Sequence, residues 1–305
     1  MTARSAPPKT RDWSLRSRAV RALIYQVLAL GLIALGVWFL AHNTMENMRV
    51  RGIQSGFDFL TGPAGFDIGE LLIPYESVDP YWKAFLVGVL NTLRVAVIGI
   101  VLTTLLGTLV GVGRFANNAI VRGLCYGYVE LFRNVPLLVQ LFIWYFVLPE
   151  LLPPAIGDAY KQSNPVMQQF LASMVCLGLF TSARVAEQVR AGINSLPKGQ
   201  KNAGLALGFT LPQTYRHVML PMAFRLVVPP LTSEFLNIFK NSAVCSTIGL
   251  LELAAQGRQL VDYTAQPYES FIAVTLSYVL INVTVMTLMH KFERRIAVPG
   301  YIGGK

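Results

Sequence analysis

The sequence is poor in charged residues and in cysteine. Only 14% of its 305 residues are Asp, Glu, Lys or Arg, whereas soluble domains carry about 25%. Its three cysteines, Cys125, Cys176 and Cys245, are far apart and have no histidine at metal-ligand spacing, which argues against a zinc site or a disulfide framework. We therefore expect no metal site and interpret the cysteines as small buried side chains.

Motifs that carry nucleotide or hydrolytic chemistry are also absent. The chain has no G-x-x-x-x-G-K-[ST] loop for nucleotide phosphates, no H-E-x-x-H and no G-x-S-x-G. We therefore predict no catalytic residues, no cofactor and no ATPase activity in this chain. Apart from Glu234 and Glu130, no predicted span carries the chain of Asp, Glu or His residues expected of a proton relay, so energy for uphill transport would come from elsewhere.

Apolar residues make up 53% of the sequence and lie in long blocks, which is typical of membrane proteins. At 1.5 Å per residue the main blocks are long enough to cross a bilayer, and they predict an all-α polytopic membrane protein. The shorter stretch 243–255 cannot span and is either re-entrant or packed against the bundle. The predicted spans are residues 22–41, 84–112, 124–148, 167–186, 222–241 and 271–290.

The first 83 residues are predicted to comprise an arm, an anchor and a loop. Residues 1–21 are polar and basic, which favours a disordered arm, and residues 22–41 contain no charge. A signal peptide is the alternative to an anchor at 22–41, but the apolar run is too long and no A-x-A site follows it. Residues 42–83 carry six acidic residues and three prolines, which predicts a polar periplasmic loop with little regular structure.

The distribution of Lys and Arg predicts the orientation. Six crossings with both termini in the cytoplasm put 18 of the 26 basic residues on the cytoplasmic side and 5 on the periplasmic side, which is a positive-inside pattern. The same placement argues against nucleic acid as a partner, despite a net charge of +10. Residues 293–305 are then a cytoplasmic tail, and the long loop at about 191–220 is cytoplasmic too.

Residues 196–212 of that loop read L-P-K-G-Q-K-N-A-G-L-A-L-G-F-T-L-P, and Leu220-Pro221 follows. Glycines permit turns and close backbone approach and prolines stop helices, so we predict a short docking helix between Pro212 and Pro221. An ordinary surface loop is the alternative. The pattern resembles the coupling loop of ABC importer permeases, in which E-A-A, a later glycine and a Leu-Pro pair form two short helices that dock on the ATPase.

The match departs from that family pattern at two positions, Asn202 in place of Glu and Gly204 in place of Ala. The string K-N-A-G-L-A-x-G resembles the glutamate/aspartate branch of the polar amino-acid permeases. The resemblance implies a set of residues that couple the chain to an ATPase. These are Asn202, Ala203, Gly204, Gly208, Leu211, Pro212 and Pro221.

Further stretches resemble the same family, including F-R-N-V-P-L at 132–137 and P-P-L-T-S-E at 229–234. The resemblance covers about residues 84–305 and is closest to the glutamate/aspartate permease subunits of Gram-negative bacteria. It implies a type I ABC importer transmembrane fold in residues 84–292, a five-helix core to which 22–41 adds one helix. The implied partners are a cytoplasmic ATP-binding subunit dimer, a paralogous permease subunit and a periplasmic amino-acid-binding protein, in the bacterial inner membrane.

Charged residues inside a bilayer are costly and are treated as functional candidates. Arg133 lies three residues after Glu130, so the two are predicted to form an i,i+3 ion pair. Arg184 and Glu187 have the same spacing at the cytoplasmic end of the fourth span and are interpreted as an ion pair at the edge of a gate or as simple helix capping. Arg133 is also a candidate on the substrate pathway. The candidates among the charged residues of the predicted spans are Arg94, Arg133, Glu234 and Lys240.

A polar face is predicted on the fifth span. On a helix, Glu234, Asn237 and Asn241 share one side, with Lys240 beside them. We predict that this face lines the substrate pathway and that Lys240 and Asn241 bind a substrate carboxylate, with Ser242 nearby. The alternative is that Glu234 and Lys240 only pair with other helices or reach toward the membrane surface.

The resemblance implies import of an acidic amino acid by ATP-driven alternating access. An ion-coupled secondary transporter is the alternative, and it would show two repeats with broken helices at matching positions. Pro136 and Pro229-Pro230 are predicted to break spans, but the sequence shows no such symmetry. A membrane enzyme or scaffold is a further alternative, against which the missing catalytic motifs count.

Overall fold

A computed structural model describes residues 17–50, 52, 56–69 and 71–296 of the chain. Every regular element in these ranges is helical, apart from one isolated antiparallel bridge between Pro63 and Pro80. The all-α prediction is therefore confirmed. Two compact units are present, one ending at Ser55 and the other beginning at Gly56, and each is described by itself.

The first unit contains one helix, α1, from Arg18 to Val50. It is longer than the predicted anchor 22–41 at both ends. The length of an apolar block matches the thickness of the hydrocarbon core, and a helix can continue beyond that core on either side. Residues 18–21 and 42–50 are thus helical, and residues 1–16 of the predicted arm lie outside the described residues. No residue in the most apolar window of α1 is buried.

The second unit holds eleven further α-helices in its described residues. Two π-helical turns, Ile143–Val147 and Tyr215–Met219, join successive helices, and a 3-10 helix covers Ala243–Ile248. By length and composition, four helices of the described chain could cross a membrane, or up to six if two bent pairs each count as one span. The helices are α2 (Tyr81–Gly113), α3 (Ala119–Asn134), α4 (Leu137–Phe142), α5 (Leu148–Leu151), α6 (Pro154–Gln162), α7 (Pro165–Asn194), α8 (Lys198–Ala206), α9 (Leu211–Thr214), α10 (Leu220–Ser242), α11 (Leu253–Thr264) and α12 (Pro267–Ile296).

The predicted third span, 124–148, is not one straight helix. It bends by 105° between α3 and the helical stretch that follows. Val135 is extended and Pro136 caps α4, because a proline disfavours helical geometry at the residue that precedes it. The prediction that Pro229-Pro230 break their span is wrong, since both lie inside α10. In membrane helices, neighbouring helices compensate for such interior prolines.

Helices α2 and α7 pack most closely at their small residues. A Cβ atom added at Gly107 of α2 would lie 2.6 Å from Val185 Cγ1 of α7, so only glycine permits this approach. The stretch 243–255 packs inside the unit rather than crossing it, because Leu250 and Leu253 are fully buried. The backbone of Leu253 donates to Thr92 Oγ1 of α2 at 3.0 Å.

Residues 56–80, here called the cap, have little regular structure, as predicted, but they are folded. Their single helical element is a 3-10 turn, Asp58–Thr61. The Phe66 ring packs against Tyr263 of α11 with 4.8 Å between centroids, and Tyr75 Oη donates to Phe66 O at 3.0 Å. Burial raises the pKa of Tyr75 to about 12. The cap therefore rests on the ends of the helices through an aromatic cluster.

One ion pair joins the cap to α2. Lys83 Nζ lies 2.6 Å from Asp79 Oδ2, and the backbone N–H of Glu76 donates to the same oxygen at 2.9 Å. These hydrogen bonds, first of all that from Lys83, hold the pKa of the Asp79 carboxyl below its usual value. The charged form of Asp79 is thus the form that the folded cap favours.

Candidate functional site: coupling element and polar helix faces

The predicted docking loop folds into a defined element, here called the coupling element, residues 198–221. Two helical parts make up this element: α8 precedes Pro212, and the residues between Pro212 and Pro221 are helical as predicted, since α9 continues through the π-helical turn into α10. Pro212 lies in the first turn of α9, so it begins a helix rather than stopping one, whereas Pro221 lies within the helical run that continues from α9 into α10. The fixed φ of proline suits a first helical turn, where no N–H is needed.

The turn between α8 and α9 depends on Gly208 and Thr210. Gly208 has φ +86°, a left-handed conformation that glycine adopts at little cost. The Thr210 side chain accepts from Gln213 N at 3.4 Å, while Thr210 N donates to Gln213 Oε1 at 2.8 Å. This capping box starts α9 immediately after the turn.

The coupling element presents a mixed surface at one end of the helices. Leu207 is 77% exposed, and Leu205 and Phe209 are also exposed. Gly204 faces inward, because a Cβ atom there would lie 2.7 Å from Thr214 Cγ2. Of the residues predicted to couple to an ATPase, Leu211 is half-buried, and the exposed ones are Asn202, Ala203, Gly208, Pro212 and Pro221.

The predicted polar face of α10 has a buried part, around Glu234, and an exposed part, around Lys240. Glu234 is buried and accepts a hydrogen bond from Gln188 Nε2 of α7 at 3.1 Å. Asn237 and Arg184 interact with the same carboxylate. Glu234 therefore pairs with a neighbouring helix, and its place on a substrate pathway stays a prediction.

The other end of that face contains Lys240, Asn241 and Ser242. Lys240 is exposed and makes no ion pair with any residue in the described ranges, and Asn241 is partly exposed. Ser242 is fully buried, and its hydroxyl donates to Phe239 O at 2.7 Å. The structure thus leaves Lys240 and Asn241 accessible and turns Ser242 into the protein. Their substrate contacts stay predictions.

Glu187 of α7 is the centre of an arginine cluster that the sequence did not reveal. Its carboxylate pairs with Arg114 at the end of α2 and with Arg133 of α3, whose Nη1 lies 3.5 Å from Glu187 Oε1. Arg190 donates from Nε at 2.9 Å and lies within 2.8 Å through Nη2. Three guanidinium groups from three helices therefore meet one carboxylate.

Both predicted i,i+3 ion pairs are wrong. Glu130 accepts a hydrogen bond from Asn134 at 3.1 Å, while Arg133 reaches Glu187. Arg184 lies over the Phe180 ring at 5.0 Å. Long arginine side chains reach partners on adjacent helices, which spacing along one helix cannot show.

A second buried carboxylate, Glu252, was also missed. It caps α11 by accepting from Ala254 N and Ala255 N at 3.0 and 2.9 Å, and it accepts from Tyr278 Oη of α12 at 2.7 Å. An acidic residue within the apolar stretch 243–255 was a signal that could have revealed it. Cys176 and Cys245 are buried as expected, whereas Cys125 is partly exposed.

The long apolar helices are those of a multi-pass membrane protein. Residues 99–298 match the family described as binding-protein-dependent transport system inner membrane component, and the chain belongs to this family. It is therefore an ABC importer permease of the inner membrane and not itself the ATPase. Membership implies that an ATP-binding subunit and a substrate-binding protein complete the transporter.

Relatives and solved structures agree with this assignment. The chain is 54% identical over 225 residues to the glutamate/aspartate import permease protein GltJ of Escherichia coli K12, covering 73% of this chain and 90% of that one. It is 30% identical to the general L-amino acid transport system permease protein AapQ of Rhizobium johnstonii, covering 96% and 97%. A crystal structure of an amino acid ABC transporter with histidines matches with a TM-score of 0.61 and 29% identity, over 70% of this chain and 95% of that chain.

Proposed function

We propose that this chain imports acidic amino acids, glutamate and aspartate, as one permease subunit of an ABC importer. The observation that carries the proposal is the coupling element, whose exposed Leu207 and left-handed Gly208 form a protruding turn at one end of the helices. The similarity to GltJ, a glutamate/aspartate import permease, supports the choice of substrate.

In this mechanism, an ATP-binding subunit dimer docks on the coupling elements of this chain and of a paralogous permease. Closure of that dimer on ATP reorients the spans, so that the substrate site opens alternately to each side of the membrane. A periplasmic binding protein delivers the amino acid. We place both termini and the coupling element in the cytoplasm, following the distribution of basic residues, which puts the cap in the periplasm.

The exposed polar groups on α10 suit an acidic substrate. Glutamate and aspartate carry two carboxylates and one ammonium group, so a site for them needs cationic or amide donors. Lys240 supplies an exposed cation and Asn241 a partly exposed amide. Glu234 is held by Gln188, so we assign it to positioning of α10 against α7.

The proposal is tested by uptake of radiolabelled glutamate into proteoliposomes containing this chain, the paralogous permease and the ATP-binding subunit. Gly208→Val is expected to abolish uptake and its ATP dependence, because a β-branched residue is strained at positive φ. Gly208→Asn is the matched control, since asparagine tolerates this conformation, and it should retain most activity.

Uptake that requires both ATP inside and binding protein outside would support an ABC importer. Uptake by this chain alone under a proton or sodium gradient would refute it and favour the ion-coupled alternative.

A further inference from the structure

The arginine cluster around Glu187 contains more positive charge than its single carboxylate can balance. Arg114 is almost fully withdrawn from solvent, with 10% of its side chain exposed. Arg133 and Arg190 are 45% and 41% exposed at their side chains, and Glu187 is 19% exposed. Three cations and one anion leave a net charge of +2 in one partly buried place.

The two half-exposed arginines retain unused donors. Each guanidinium has five N–H donors and no acceptor, and Arg133 meets Glu187 through one long contact of 3.5 Å. No other Asp or Glu in the described ranges pairs with Arg114, Arg133 or Arg190. Arg114 also faces the Tyr126 ring at 5.2 Å. Excess charge at the edge of a low-dielectric region strongly favours a further anion.

The cluster adjoins the polar face of α10 through one turn of α7. Gln188, the neighbour of Glu187 in sequence, donates to Glu234 on α10, and Arg184 lies one turn earlier. Polar groups therefore continue around α7 from the side that meets α10 to the side that meets α3. The arginine cluster and the α10 face therefore lie at adjoining positions along the same part of α7.

We propose that Arg133 and Arg190 form an oxyanion site that binds a carboxylate of the transported amino acid on its way out of the conduit. Glu187 is the resident carboxylate that holds the three arginines together and competes with the substrate for them. This inference rests on the proposed import of acidic amino acids. Anionic lipid headgroups offer the same oxyanion chemistry, and the membrane composition distinguishes the two sources.

The test measures glutamate uptake by the full importer with Arg190→Gln, Arg133→Gln and Glu187→Gln. The two arginine variants should raise KM for uptake about threefold to tenfold, because each removes a partly solvated charge-assisted contact. Glu187→Gln should lower KM, since it frees the arginines for substrate. Arg122→Gln is the matched control and should leave KM unchanged, because within the described ranges this exposed arginine hydrogen-bonds Ala116 O and does not contact Glu187.

Opposite shifts for the arginine and glutamate variants separate a binding role from a structural one. If all three variants lose transport together without a KM shift, the cluster is only structural and the inference is wrong. If the shifts occur in vesicles containing phosphatidylglycerol but vanish in phosphatidylcholine alone, the ligand is a lipid phosphate and the substrate assignment is overturned. If wild type shows no ATP-dependent uptake, the proposed function itself fails.

Discussion

Replacing Gly204 with alanine tests how the coupling element is packed. The added Cβ atom would lie 2.7 Å from Cγ2 and 3.1 Å from Oγ1 of Thr214, much closer than an ordinary contact. Thr214 cannot move away freely, because its hydroxyl donates to Thr210 O at 3.1 Å. Overpacking of this kind costs about 1–3 kcal/mol, while alanine gains up to about 1 kcal/mol in helix propensity. Gly204→Ala should therefore range from neutral to about 2 kcal/mol destabilising.

A matched variant isolates the steric term. Gly199 lies in the same helix and would meet nothing within 4 Å, so Gly199→Ala should stabilise by up to about 1 kcal/mol. The difference between the changes in unfolding free energy of the two variants then measures the cost of overpacking at Gly204. Adding Thr214→Ala to Gly204→Ala leaves only a 3.4 Å contact with Cβ, so the double variant should recover about 1–2 kcal/mol relative to additivity.

The assay is thermal unfolding of the detergent-solubilised protein at one scan rate, because membrane proteins often unfold irreversibly and only relative midpoints are then comparable. The expected order of midpoints is Gly199→Ala above wild type, and Gly204→Ala at or below wild type. Equal shifts for the two glycine variants, or strict additivity in the double variant, would refute the packing described for Gly204.

Three further predictions concern other parts of the second unit. Glu252→Ala should lower the thermal midpoint strongly, because loss of a helix N-cap costs about 0.5–2 kcal/mol and Tyr278 also loses its hydrogen-bond partner. Tyr278→Phe should lower the midpoint less, because the cap of α11 remains. Equal losses in the two variants would contradict this prediction. Phe66→Ala should expose the cap to protease while leaving the spans intact, by loss of about 3–5 kcal/mol of packing, and limited proteolysis measures it. The folded state lowers the pKa of Asp79, so its ion pair with Lys83 stabilises the cap above about pH 4 and this stabilisation is lost as the pH falls. Unfolding of the cap, followed by fluorescence, should therefore become easier in acid in the wild type and change less in Asp79→Asn.

The sequence predicted best those spans that are continuous apolar blocks without proline. Predicted spans 84–112, 167–186 and 271–290 lie within α2, α7 and α12, and each helix is longer than its block. The helices continue because backbone hydrogen bonding does not stop at the hydrocarbon edge, and polar residues extend a helix into the headgroup region. Composition therefore locates a span but not its ends.

Proline positions were ambiguous in the sequence for a physical reason. Pro136 marks a 105° bend, Pro212 opens a helix, and Pro221 and Pro229 lie within a continuing helical run. A proline lacks an N–H and fixes φ, which is compatible with a kink, a break or a first turn. Packing of neighbouring helices selects among these outcomes, and that packing is not encoded within a window of adjacent residues.

The candidate site shows the same division between local and tertiary information. The coupling element could be located from Gly208 and the following Leu-Pro pair, because a left-handed turn and helix starts are local properties. The partners of Glu187 and Glu234 could not be predicted from the sequence, because they come from other turns and helices. These partners are Arg114, Arg133 and Gln188. Charges in a membrane protein require compensation, so the sequence shows that a partner exists without showing which one.

Helix α7 connects these local and tertiary features. It holds Glu187 in the arginine cluster and Gln188 against Glu234, and a connection of three residues leads from its end to α8. Leu196, in that short connection, is buried with Val185 and Ile193 in one apolar cluster. A displacement of α8 would therefore be transmitted to α7 rather than absorbed by a flexible linker, since packed side chains transmit movement. Under the proposed function, docking of the ATPase on α8 would move α7. Because α7 contacts both the arginine cluster and Glu234, this movement can change the distance between them without a further connecting element.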